Sequence, residues 1–401
     1  MDPSLSFGRE LVAIPGPSVV PDRVLNAMHR SMPNIYEGDL LEVSNSLFAD
    51  LPAIACTAGT VFVAIGNGHG GWEMAISNTL SRGDRVLVLE SGQFSVNWGL
   101  MAELSGVEVE VLPGTLRGPV DPAAVEARLR TDRDRSIRAV FMVQVDTGTS
   151  VRNDVAAVRA ALDAADHPAL LMVDCIASLG CERYEMDAWG VDVTVAASQK
   201  GLMTPPGLAF VWAGERALAA HAHAGLRTGY WDWTARSVDG PHYLRYCGTP
   251  PVSHLYGLRA ALDMIAEEGL ERVWARHELL AGAVRAAVDA WATDDGIELN
   301  IIDPAHRSNA VTTVLTGSVD PDRLRTVCQD GAGLTLGVAI SGFEGRAFRI
   351  GHMGHLNPPM LLGTLGTIEA ALTSMDAPLG GSGVAAAARA IGGALAPAPV
   401  R

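Results

Sequence analysis

The stretch Val191-Asp-Val-Thr-Val-Ala-Ala-Ser-Gln-Lys200-Gly-Leu-Met-Thr-Pro-Pro-Gly207 decides how the chain is read. Its first half is an apolar, β-branched run of strand length. Its second half is a Gly/Pro-rich loop that cannot continue as helix. Strand followed by loop delivers Ser198, Gln199 and Lys200 to the edge of a sheet. Lys200 is the single lysine among 30 Lys and Arg residues. A surface ion pair accepts arginine equally well, but only a lysine amine can lose its proton and condense with a carbonyl. Taken alone, Lys200 reads first as a leftover surface lysine in an Arg-biased chain; its context reverses that reading. Upstream, Leu170-Leu-Met-Val-Asp174 is a second apolar strand that ends in a carboxylate. In open α/β sheets, ligands bind beyond the carboxyl ends of the strands. An Asp that merely caps a turn is the plain alternative.

The same rhythm continues outward. Strands are expected at 61–65, 85–89, 107–111, 139–145, 170–173, 191–196 and 208–212, and helices at 72–80, 96–104, 122–129 and 154–165. Alternation of this kind predicts an α/β domain with a mostly parallel sheet. The rhythm lapses over 219–249, which reads as a long functional loop. Residues 250–292 are strongly helical. Strands at 311–315 and 347–350 flank a helix at 320–328, which reads as an α+β unit, and a last helix is expected at 384–395. The expected division is an N-terminal arm (1–20), a large domain (21–255) and a small C-terminal domain (256–401).

Composition narrows the function. The chain has 401 residues, 48 % hydrophobic and 19 % charged, which excludes a largely disordered protein. A net charge of −15 argues against nucleic acid and anionic membrane partners. Cys56, Cys175, Cys181, Cys247 and Cys328 form no C-x-x-C pair, which fits a reduced, cytoplasmic setting. No apolar signal core or membrane-length run is present. His352 and His355 lack a third ligand nearby, so no metal site is expected.

A third element joins the two strands. Ile65-Gly-Asn-Gly-His-Gly-Gly-Trp72 reads as a strand, a Gly-rich turn and a helix start. The backbone N–H groups of Gly68, His69 and Gly70 would point at an anion such as phosphate. It has neither P-loop spacing nor that of a dinucleotide fingerprint, and on its own reads equally as a tight βα turn. A phosphate cup, a strand-end Asp and a uniquely retained Lys are together what pyridoxal 5′-phosphate needs. The amine takes its aldehyde, the carboxylate pairs its ring nitrogen, and the helix end holds its phosphate.

These segments resemble the class V aminotransferases of the fold type I pyridoxal-phosphate enzymes, in particular the alanine/serine–glyoxylate group. The resemblance runs from Pro15-Gly-Pro-Ser18 through Gly83-Asp-Arg-Val-Leu87, Val173-Asp-Cys-Ile-Ala-Ser-Leu-Gly180 and the Lys200 segment to Phe348-Arg-Ile-Gly-His-Met-Gly354. It implies a large domain with a mostly parallel seven-stranded sheet between helices, plus a smaller α+β domain. It implies Lys200 as the Schiff-base lysine and Asp174 as the partner of the ring nitrogen. Asn67, Gly68, His69 and Gln199 match phosphate-binding positions, Thr147 a hydroxyl near the ring, and Phe94 a stacking aromatic. Phe94 also reads as core, with Trp98 the competing stacker. Tyr246 and Thr249 match residues that reach a neighbouring subunit's phosphate, which implies a homodimer with shared sites. Arg349 matches the arginine that binds the substrate carboxylate, and Gly16 and Tyr36 fall at substrate-facing positions.

The implied reaction moves an amino group from serine, alanine or aspartate to glyoxylate or a similar 2-oxo acid, by a ping-pong mechanism. Two segments depart from the pattern, Asn34-Ile-Tyr-Glu37 and Tyr243-Leu-Arg-Tyr-Cys-Gly248, and both bear on the donor. Two alternatives share the fold. A pyridoxamine–pyruvate aminotransferase would want an acidic residue where Asn67 stands and a second arginine within 338–343. A lyase or cysteine desulfurase would want a reactive thiol, with Cys328 the candidate.

Overall fold

The computed structural model describes residues 5–237, 240–294 and 296–395. Its strands are β1 (Leu11–Ala13), β2 (Thr60–Gly66), β3 (Arg85–Leu89), β4 (Glu108–Leu112), β5 (Ile137–Val143), β6 (Val145–Asp146) and β7 (Val151–Arg152). They continue as β8 (Leu170–Asp174), β9 (Val193–Ala197), β10 (Gly207–Ala213), β11 (Glu298–Leu299), β12 (Val311–Leu315), β13 (Leu334–Val338) and β14 (Ala347–Gly351). Seven form one sheet in the order β2-β10-β9-β8-β5-β3-β4. Only β10 runs against the others, so the expected mostly parallel sheet is present.

The central strands are apolar without alternation because both faces are covered. On one face, Val140, Met142, Leu171 and Val173 pack under the helices Pro122–Thr131 and Val155–Ala164. On the other, Ala139, Phe141, Leu170 and Met172 pack under Gly68–Thr79 and Gln93–Leu104. Each parallel crossover returns the chain to the same end of the sheet. The loops after β2, β3, β5, β8 and β9 therefore gather at the carboxyl ends of the strands.

The second sheet has the order β1-β13-β14-β12-β11. One face buries Leu336, Phe348 and Ile350 under Leu270–Trp291, Pro321–Ala332, Pro358–Ser374 and Gly383–Leu395. Within the stretch expected as an N-terminal arm, Leu11–Ala13 pairs in parallel with Leu334–Leu336. Three residues flanked by Pro and Gly are too short to register as a strand in the sequence. The loop expected over 219–249 carries a short helix, Trp233–Arg236, and a 3-10 turn, His242–Tyr246. The helical run after it breaks once, at Gly269, into Val252–Glu268 and Leu270–Trp291.

Candidate active site

A cavity of about 230 Å³ opens at the carboxyl ends of the parallel strands. Seven expected residues line it: Asn67, Gly68, His69, Phe94, Thr147, Asp174 and Gln199, with Lys200 at its wall. A larger cleft of about 760 Å³ lies at the opposite end of the sheet. There Arg159 pairs with Asp163 at 2.5 Å and Arg216 with Asp192 at 3.0 Å, so both of its arginines are paired.

Lys200 follows β9 and is held by its own loop. Ser198 Oγ donates to the Pro205 carbonyl at 2.7 Å, and Ser18 Oγ donates to the Lys200 carbonyl at 2.8 Å. The amine donates to the carbonyl of Pro15. Gly16 sits against it with φ +93°, and a Cβ there would run into the amine and its methylenes. Glycine is required at that spot both for the backbone and for the space. Burial and the nearby Arg349 guanidinium push the Lys200 pKa down to about 8. At pH 7 about a tenth of the amine is therefore neutral, against a negligible fraction for a free lysine.

Asp174 ends β8 and is 3 % exposed. Its Oδ1 accepts from the Ile176 amide at 2.6 Å and its Oδ2 from the Trp72 indole at 2.9 Å. Desolvation raises its pKa to about 7, against the pull of those two donors and of Lys200. A cationic ring atom in the cavity would relieve that cost.

The helix Gly68–Thr79 points its N-terminus at the cavity. Gly68 packs so closely on Ile176 that a Cβ would collide with that side chain. The amides of His69 and Gly70 are capped by Asn67 Oδ1, at 3.1 and 3.4 Å. Asn67 thus serves as the helix cap for two of the three turn amides expected to face an anion. Gln199 Oε1 is buried with no hydrogen-bond partner among the described residues, so this wall of the cavity carries an unanswered polar atom. Phe94, not Trp98, lines the cavity; Trp98 is fully buried, stacked between Trp72 and Phe141.

Arg349 arrives from the second sheet on β14 and is 8 % exposed. Nε donates to the Val338 carbonyl at 2.6 Å and Nη1 to the Thr147 carbonyl at 2.8 Å. Among the described residues it has no carboxylate partner, and burial lowers its pKa to about 10. It stands behind Thr147 rather than in the cavity wall. A buried cation so placed invites a carboxylate.

Three expected residues lie elsewhere. Tyr246 is 1 % exposed and its hydroxyl is 2.5 Å from Ser44 Oγ, so within this chain it is packed in the core. Thr249 is exposed, away from the cavity. Tyr36 is 68 % exposed and packs edge-on against Tyr243 at 6.0 Å. The two segments that depart from the family pattern therefore touch each other. Sequence reasoning missed the roles of Pro15, Ile176 and Trp72. The first two act through backbone groups, which leave no residue signature; Trp72 is visible as a large ring directly after a Gly-rich turn.

The residues present fit pyridoxal phosphate: an amine of lowered basicity, a fixed carboxylate facing it, an aromatic wall and a helix N-terminus share one cavity. Comparison with known proteins agrees. The family model described as aminotransferase class-V matches residues 23–344. A serine–glyoxylate aminotransferase from Methylorubrum extorquens is 40 % identical over 95 % of both chains. An L-aspartate–glyoxylate aminotransferase from Paracoccus denitrificans is 37 % identical over 94 % of both. The crystal structure of a pyridoxamine–pyruvate aminotransferase from Mesorhizobium loti superposes with a TM-score of 0.85 at 26 % identity, covering 96 % of this chain and 97 % of that one. With its catalytic-end cavity, its sheet order and this match over most of its length, the chain belongs to the class V aminotransferases.

Proposed function

We propose that the protein moves an amino group from a small L-amino acid to glyoxylate or a similar 2-oxo acid, with pyridoxal 5′-phosphate held by Lys200. The observation that carries this reading is the Lys200 amine, the chain's single lysine, facing Asp174 across one cavity with Arg349 beside it. Relatives named for serine and for aspartate as donors, both with glyoxylate, support the substrate class. When bound, the cofactor supplies an aldehyde for the amine and a ring that draws electrons from the substrate. Asp174 would hold the ring-nitrogen proton, Phe94 would cover one ring face, and Asn67, Gly68, His69 and Gln199 would surround the phosphate. Arg349 would bind the carboxylate common to donor and acceptor through its free N–H groups. Lys200, once released, would take the proton from the substrate Cα on its neutral amine and deliver it to the cofactor carbon that had carried the aldehyde, and would run the same transfer backwards in the second half-reaction.

Two readings on the same fold are less well supported. Asn67 is not acidic, and 338–343 holds no arginine, which disfavours free pyridoxamine as substrate. Cys328 is fully buried on the helix Pro321–Ala332 and its thiol is pushed up to about 12, which disfavours a desulfurase nucleophile. We also read 21–255 and 256–401 as large and small domains, with the small one including β1. A homodimer and a cytoplasmic location complete the reading. No helix among the described residues is long and apolar enough to cross a membrane. The test is to add amino acids singly to the purified protein and follow loss of its visible absorption, then its return on adding glyoxylate. Serine, alanine or aspartate should bleach it in one turnover and glyoxylate restore it. Sulfide release from cysteine without restoration by any 2-oxo acid would overturn the reading.

A further inference from the structure

Asp174 must keep one carboxylate lone pair aimed into the cavity while the rest of its charge is held in place. Oδ1 is taken by the Ile176 amide two residues on. Oδ2, the other oxygen, is held by the Trp72 indole N–H at 2.9 Å. We propose that Trp72 is the positioning residue for Asp174, fixing the carboxylate toward a bound ring nitrogen from the same helix whose N-terminus faces the phosphate. This rests on the functional reading above.

Three observations carry it. First, Trp72 is completely buried and its ring is packed among three others: His69 at 4.5 Å, Trp98 stacked at 6.0 Å and 14°, and Phe94 edge-on at 6.5 Å. It cannot turn its N–H elsewhere. Second, the bond is not a packing necessity. Trp98 and Trp233 are equally buried in the same layer, and their N–H groups have no partner among the described residues. A buried indole in this protein is tolerated without an acceptor, so the carboxylate is not there to satisfy Trp72.

Third, the electrostatics make the donor matter. An indole N–H only donates, so it strengthens the ionised acid over the neutral one. The charged groups facing Asp174 are Asp146, which opposes its ionisation, and Lys200, which favours it; Cys175 follows it in the chain and His69 lies against Trp72. With Asp146 near and the carboxyl buried, the two N–H donors, together with Lys200, keep it from rising further above about 7. Losing one leaves a carboxyl that is both freer to rotate and readier to hold its own proton, and a protonated Asp174 cannot accept the ring-nitrogen proton.

Trp72→Phe keeps the ring and removes the N–H. It should lower kcat by about tenfold to a hundredfold, the scale of one hydrogen bond to a charged group, while KM for the amino acid changes little. In the full-length protein freed of cofactor, the Trp72 indole ¹⁵N–H resonance should titrate with the midpoint of Asp174, and the titration should vanish in Asp174→Asn. That measurement needs only the wild-type fold, so it stands even if Trp72→Phe fails to fold. An indole resonance that does not titrate, or a folded Trp72→Phe with unchanged kcat, overturns the proposal. Failure of the functional reading is seen separately, as wild-type protein in which borohydride fixes no cofactor on Lys200.

Discussion

At the scale of single residues, burial lowers the basicity of both Lys200 and Arg349, and the Arg349 guanidinium makes the Lys200 charge costlier. Lys200 is pushed to about 8 by burial first and Arg349 second. Below that pH the amine is an ammonium with no lone pair, so cofactor loading should accelerate as pH rises and level off above about 8. In Arg349→Ala the midpoint should move upward, toward the 10.5 of a free lysine, because the neighbouring cation is gone. Stopped-flow absorbance against pH reads both. The same variant should lose activity in both half-reactions alike, by about 10²–10³-fold in kcat/KM, as expected when one partner of a buried charge pair is removed. Loss confined to one half-reaction would mean that Arg349 reads a side chain. Asp174 gives a prediction of stability. Its folded pKa, about 7, lies above its ordinary 3.8, so the ligand-free wild type loses stability as pH rises from 4 to 7. Asp174→Asn carries no such cost, and its melting temperature relative to wild type should climb through that window. A constant difference across pH 4–7 would show that the carboxyl is not desolvated. Lys200 was legible by counting and Asp174 by its place at a strand end. The partners that tune them were not, since Pro15, Ile176 and Val338 act through backbone atoms that any residue could supply.

At the scale of elements, the helix Gly68–Thr79 does two things at once. Its first residue lies against Ile176 at the end of β8, and its fifth donates to Asp174 in the same strand end. Gly68→Ala would force Ile176 into the cavity that both line. Overpacking of this kind costs roughly 1–3 kcal/mol. Cofactor retention, measured by equilibrium dialysis, should fall by about tenfold, while retention equal to wild type would mean that Ile176 moves aside freely. The strands of the large sheet were legible because β-branched apolar runs of five to seven residues, buried on both faces, cannot be mistaken for a helix face. The strand at 85–89 was read to the residue, and the others were read one or two residues out at one end or both. A run expected at 139–145 ends instead at Val143, where Gln144 turns and its amide bonds the Asp174 carbonyl at 2.9 Å. β1 and β13 were not legible: one has three residues, and the other, Leu-Thr-Leu-Gly-Val, carries a glycine that breaks the pattern. Gly337 is there because a Cβ would strike Pro15 and Arg349, a constraint of tertiary contact that no local pattern reveals.

At the scale of the whole molecule, the chain's first strand belongs to the sheet of its last third, and the residues just after it reach Lys200. β1 pairs with β13, Pro15 accepts from the amine, and Arg349 crosses from β14 to the Thr147 carbonyl. The site is therefore assembled from both sheets, and the sequence reading, which set residues 1–20 apart as an arm, could not show this closure. Tyr246 and Thr249 remain outside the cavity of a single chain, so their expected role falls to a dimer. Light scattering should give about twice the 42.1 kDa of one chain; a monomer with full activity would remove both residues from the site. The account stands most directly on where the cofactor is attached. Reducing the yellow protein with borohydride and mapping its peptides should place the pyridoxyl group on Lys200 alone, and Lys200→Arg should be colourless and inactive although its charge is kept. Label on any other residue, or turnover by Lys200→Arg, would contradict it.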